Sequence, residues 1–153
     1  MTADRKKRHL RILELISTRR IGTQEELAEA LRAEGWKVTQ SSVSRDITAL
    51  HLVKAEGAYA RPARVARQHA DPDERRIAEG LLQVDRAGDA LLIIHTPPGE
   101  ANRVAVALDR LAWSELLGTI AGDDTIFIAV RDGRAQREVH KRLTRLGGQA
   151  PQS

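Results

Sequence analysis

"TQSSVSRDITALHLVK", residues 39–54, decides how the amino-terminal part of this chain folds. Three serines fall within four residues, a composition that suits a loop, yet Thr39 stands where a helix cap is wanted: its side-chain oxygen can accept an orphan backbone N–H of a first turn. With Thr39 as N-cap, Val43, Ile47 and Leu50 fall at i, i+4 and i+7, within roughly 40 degrees of one another on a helix of 3.6 residues per turn. Ser41, Arg45 and Thr48 then lie on the opposite side, with Ser42 and Ser44 on its flanks. The stretch reads as a helix with an apolar back and a small, hydrogen-bonding front.

Working outward, Leu10, Leu13 and Ile16, with Ile12 beside them, predict a helix from about Asp4 to Ser17. In "GTQEELAEALRAEG", Thr23 followed by Glu26 forms a capping box, Leu27 and Leu31 give an apolar stripe, and Gly35 is the stop. After the third helix, "HLVKAEGAYAR" reads as two short strands turned at Glu56-Gly57. Three helices and a hairpin give the winged helix-turn-helix arrangement, in which the first residues of the last helix reach base edges and phosphates. Ser41, Ser42, Ser44, Arg45 and Thr48 are the candidate DNA contacts, Arg45 supplying a fork for guanine or phosphate.

Charge points the same way. Residues 1–67 hold 14 Lys/Arg against 8 Asp/Glu, whereas residues 68–153 hold 11 against 13. A basic half joined to a slightly acidic half fits a polyanion partner at one end. The 153 residues contain no cysteine, which excludes disulfides, thiolate metal sites and a thiol nucleophile. No apolar run approaches a membrane span, and Arg11 and Glu14 interrupt the only candidate signal segment, so a soluble cytoplasmic protein is expected.

The proline- and charge-rich "RPARVARQHADPDERR", residues 61–76, reads as a linker. It predicts a DNA-binding domain over 1–62, a linker over 63–76 and a second domain over 77–150. There, "GLLQVDRAG", "ALLIIHT", "PPGEANRVAVALDRLA", "ELLGTIAG", "DTIFIAVR" and "RAQREVHKRLTRLGG" follow the order ββαββα, an antiparallel sheet with helices on one face. The other face or an edge is left for another subunit to cover. The fold class is therefore α+β, a winged helix-turn-helix joined to a sheet-plus-helices oligomerisation domain.

The chemical feature of that second domain is "GTIAGDDT", where Asp123 and Asp124 stand together at a glycine-flanked strand junction. Such paired carboxylates call for a divalent metal, a guanidinium or ammonium, or backbone N–H groups that they cap. Asp109, one helix earlier, suits either of the first two. No P-loop, G-x-S-x-G or HExxH motif is present, and the five histidines are isolated in sequence, so no enzyme is expected.

Taken together, "QSSVSRDITALHLVK" and "LLGTIAGDDTIFIAV" resemble the bacterial arginine repressor family over nearly the whole chain. The resemblance implies trimers paired into a hexamer, with L-arginine bound between them as corepressor and no other cofactor or metal. It implies operator DNA as partner and repression of arginine biosynthesis genes. Ser44 and Arg45 match the family's DNA-contacting pair, with Gln40, Ser41 and Ser42 in the same helix start. Asp123 and Asp124 match its arginine-binding aspartates, and Asp109 and Asn102 its other two ligand positions. Position 102 departs from those members that carry the longer Gln. The alternatives are a winged-helix regulator sensing another cationic metabolite, such as lysine or ornithine, and a small metal-dependent enzyme using Asp109, Asp123 and Asp124.

Overall fold

The computed structural model describes residues 3–62 and 71–147. The chain divides into two compact units, Met1–Val65 and Ala66–Ser153.

The first unit runs α1 (Ala3–Thr18), α2 (Gln24–Ala33), α3 (Gln40–Ala49), β1 (Val53–Ala55) and β2 (Ala58–Ala60). Ile12, Leu13, Leu15 and Ile16 of α1, Leu27 and Leu31 of α2, and Val43 and Ile47 of α3 are all buried and supply its core. Leu50 is the C-cap of α3 and only half-buried. Thr23 accepts the Glu26 N–H at 3.1 Å, while the Glu26 carboxylate reaches past the cap to the Gly22 N–H at 2.8 Å. β1 and β2 pair antiparallel, Lys54 facing Tyr59, across a turn in which Glu56 and Gly57 both have positive φ. The hairpin is fixed to the connection between α1 and α2: Tyr59 N–H donates to the Ile21 carbonyl at 2.8 Å, and Arg20 donates to the Glu56 carbonyl. The turn lies so close that a Cβ on Gly22 would come within 2.5 Å of the Gly57 oxygen.

The second unit contains one helix more than the sequence predicts. Its order is α4 (Pro72–Gly80), β3 (Gln83–Ala87), β4 (Leu91–His95), α5 (Ala101–Leu111), β5 (Leu116–Ala121), β6 (Thr125–Val130) and α6 (Gly133–Leu146). α4 occupies the end of the stretch read as linker; residues 63–70 of that stretch lie outside the described residues. Asp71 starts the helix by accepting the Asp73 and Glu74 N–H groups, and Pro72 sits in the first turn, where its missing N–H costs nothing. The helix ends at Gly80, where a Cβ would come within 2.4 Å of a Val104 methyl of α5.

The four strands are antiparallel in the order β3-β4-β6-β5. Leu92, Ile94, Ile126, Ile128 and Val130 point to the helix side and form one core with Ile77, Leu81, Val104, Leu108, Val139 and Leu143. No described element of this unit covers the opposite face, which fits the expectation of helices on one side of the sheet. Register places Asp85, Ile93, Phe127 and Ile120 in one row across it. Phe127 is 49% and Ile120 is 78% exposed.

Candidate functional sites

The start of α3 is built by a reciprocal capping box. Ser42 N–H donates to Thr39 Oγ1 at 3.1 Å, and Thr39 N–H donates to Ser42 Oγ at 3.0 Å. The Ser42 hydroxyl also donates to the Thr39 carbonyl at 2.9 Å, so its hydrogen-bonding capacity is largely spent on the cap. Thr48 is similarly turned inward on its helix, donating to the Ser44 carbonyl at 3.1 Å. Gln40, Ser41, Arg45 and Thr48 are exposed, and Ser44 is half-buried. Arg45 makes no ion pair or hydrogen bond with any described residue.

Asp46, its neighbour, does the opposite. It is 1% exposed and receives Arg8 Nε at 2.6 Å and Arg8 Nη2 at 3.0 Å, with His9 Nε2 at 2.9 Å. Burial alone would push the Asp46 carboxyl up, but the Arg8 and His9 hydrogen bonds, with their charges, outweigh it and hold the carboxyl below its usual range. The cluster locks α3 to α1. Composition reads Arg45-Asp46 as a solvated pair, yet Asp46 follows Val43 by three residues and precedes Leu50 by four, which puts it at the border of the apolar arc. That position is the signal that identifies it.

In the second unit, α5 packs beside the edge strand β5, and the expected ligand residues lie along this border. The Asp123-Asp124 turn is held by its backbone: the Asp123 carbonyl accepts Gly99 N–H at 3.0 Å and Ala101 N–H at 3.2 Å at the start of α5. The Asp124 carbonyl accepts Thr96 N–H at 2.8 Å. Asn102 is the next residue along α5, and Asp109 follows seven residues later, two turns on and on the same face. Asp109 accepts the Thr119 hydroxyl of β5 at 2.9 Å, and Asp124 accepts that of Thr125 at 2.9 Å. All four side chains are exposed, and neither Asp109, Asp123 nor Asp124 forms an ion pair with a described residue. The outer edge of β5 leaves alternate backbone groups unpaired within the sheet.

Comparison with known proteins joins these two features. Residues 3–61 match the family model "Arginine repressor, DNA binding domain", and residues 77–145 match "Arginine repressor, C-terminal domain". The chain belongs to the arginine repressor family. The arginine repressor of Symbiobacterium thermophilum is 44% identical over 142 residues, covering 90% of this chain and 94% of that protein. That of Exiguobacterium sibiricum is 43% identical over 142 residues (89% and 94%), and that of Bacillus subtilis 38% over 144 residues (91% and 96%).

As a member of this family the chain is a DNA-binding transcriptional repressor and not an enzyme. Among the described residues no three or more His, Cys, Asp or Glu side chains form a group able to hold a metal, Asp109, Asp123 and Asp124 included. None of the described helices is long and apolar enough to cross a membrane.

Proposed function

We propose that this repressor senses L-arginine as corepressor and represses arginine biosynthesis genes in the cytoplasm as a dimer of trimers. In this reading residues 1–62 form a winged helix-turn-helix domain, 63–76 lead from it into the first turns of α4, and 77–150 bind arginine and assemble. α3 enters the major groove of double-stranded operator DNA. Arg45 supplies the specific contact, with Gln40, Ser41 and Ser44 against neighbouring phosphates or base edges. Ser42 contributes by shaping the helix start and Thr48 by its bond to the Ser44 carbonyl farther along α3, since their hydroxyls are engaged within the helix.

The observation that carries the arginine site is the border of α5 and β5, where three exposed carboxylates meet no cation among the described residues. A guanidinium offers paired N–H donors to one carboxylate, and the α-ammonium satisfies another. Asn102 adds an amide, and unpaired N–H groups on the outer edge of β5 suit the ligand's carboxylate. The names carried by the relatives support arginine over other cations. Because the site lies where subunits would meet, arginine favours whichever assembly it binds more tightly.

A thermal-shift panel with arginine, lysine, ornithine, citrulline and divalent metals tests the ligand, since binding to the folded state raises apparent stability. Arginine is expected to give the largest shift; a larger response to lysine or ornithine replaces it with another cationic metabolite. Asp123→Asn removes a charge-assisted contact worth about 1.5 to 3 kcal/mol, roughly a ten- to hundredfold loss of affinity by calorimetry. Arg45→Ala is expected to abolish the operator gel shift while arginine binding persists, and a retained shift would refute the role of α3.

A further inference from the structure

The second half of the chain is slightly acidic, yet residues 131–145 hold six Lys/Arg against two Asp/Glu. α6 sorts them by face. Val139 and Leu143 are buried against the sheet side, with Gln136 beside them. Arg134, Arg137, Lys141 and Arg145, at i, i+3, i+7 and i+11, share an arc of roughly 80 degrees on the opposite side, and all four are exposed. With a rise of 1.5 Å per residue they span about 16 Å of helix. Arg131 precedes them and, with Arg134, Arg137 and Lys141, lines an open groove of about 620 Å³.

The carboxylates of this groove are already engaged. Glu115 binds Arg142 through two contacts of 3.1 and 3.2 Å, Glu138 takes Arg142 Nε at 3.3 Å, and Asp132 caps the Ala135 N–H at 2.9 Å. Arg142 is further fixed over the Trp113 ring, 5.3 Å from its centre. One arginine thus gathers the local acids, and Arg131, Arg134, Arg137, Lys141 and Arg145 have no ion-pair partner among the described residues. Like charges held at this spacing repel one another and are eased by a polyanion. Duplex DNA presents about one negative charge per 1.7 Å of its axis, dense enough to meet the whole stripe.

We propose that the basic stripe of α6 is a second DNA contact of this repressor, one that engages phosphates without reading bases. It draws on the DNA-binding assignment of the family only in that duplex DNA is already the partner, and it does not depend on which residues of α3 read the operator. Its contribution is a salt-dependent gain in affinity on DNA flanking the operator.

The test is a salt titration of binding by the full chain, followed by fluorescence anisotropy, on an operator with long flanks and on a long duplex without an operator. The combined Arg134→Gln, Arg137→Gln, Lys141→Gln and Arg145→Gln variant is expected to lower the slope of log affinity against log salt by about 2 to 4, near 0.9 per phosphate released. Its preference for operator over other sequence and its affinity for arginine stay as in the parent chain. A companion carrying Arg134→Lys, Arg137→Lys and Arg145→Lys keeps the parental slope, because point charges suffice for phosphate. Arg45→Ala loses operator preference but retains this component on the duplex without an operator, so the two assignments fail separately. A parental slope in the glutamine variant overturns the proposal and leaves the stripe to solvent or an acidic protein; a reduced slope in the lysine variant overturns it too.

Discussion

At the scale of single residues, Arg45 and Asp46 are adjacent in sequence and opposite in use. Arg45 keeps a guanidinium without a partner among the described residues at the surface of α3, whereas Asp46 is consumed in holding α3 against α1. Replacing Asp46 by Asn keeps the shape but removes the charge that Arg8 and His9 meet. The expected cost is about 2 to 3 kcal/mol, toward the low end for a broken buried pair because Arg8 still reaches water. Since the folded-state carboxyl is held below its ordinary value of 3.8, its contribution is complete above that value and fades as pH falls through the lower folded one. Urea unfolding of the parent and Asp46→Asn chains should therefore show a stability gap that is constant near neutrality and closes in acid. A gap that widens in acid would mean that the cluster stabilises through another group. The sequence displays Arg45 and the Asp123-Asp124 pair because their residue types announce their chemistry. Asp46 is harder to see, since its role depends on Arg8 and His9, some 37 residues away in the chain.

At the scale of elements, capping separates what a hydroxyl does for the helix from what it offers to DNA. Ser42 closes the box with Thr39, whereas Ser41 is exposed beside it. Ser42→Ala is thus expected to lower stability by about 0.5 to 1 kcal/mol, seen in the thermal transition of the amino-terminal unit, and to weaken operator binding only through the frayed helix start. Ser41→Ala leaves that transition in place. Equal stability losses in the two variants would remove the distinction. The same logic explains which elements are legible in the sequence. α3 is recoverable because a threonine cap precedes a clean apolar stripe, and the hairpin because Gly57 supplies a residue suited to the positive φ its turn requires. α4 escapes a reading by composition: "DPDERR" looks like solvated linker, although Asp71, Pro72 and two acidic residues in the first turn are a helix start. Its apolar side is too short for periodicity to stand out, with Ile77 and Ala78 buried and Leu81 just beyond its end.

At the scale of the whole molecule, the uncovered sheet face is the strongest argument for assembly. Helices α4, α5 and α6 all lie on one side, and the row Ile93, Phe127 and Ile120 on the other has no cover from the described residues of its own unit. Burying a Phe or Ile side chain contributes about 1.5 to 3 kcal/mol, and each copy of this face repeats the gain, so association is favoured once copies meet. The sheet and its open face are legible from strand alternation, but the number of subunits is not, because alternation gives which side is apolar and not the angle at which copies meet. If this face is the subunit contact, Phe127→Glu combined with Ile120→Asp places two charges per chain in it, a cost that removal from water makes prohibitive. The expected outcome is a fall in mass to the single chain by sedimentation, with circular dichroism unchanged because both positions are exposed in the isolated unit. Arginine binding should weaken alongside it, as linkage between ligand and assembly requires. A variant that keeps the parental mass would move the contact to the outer edge of β5 or to the helices. A variant that becomes a single chain yet binds arginine with parental affinity would keep the interface and place the whole ligand site within one subunit.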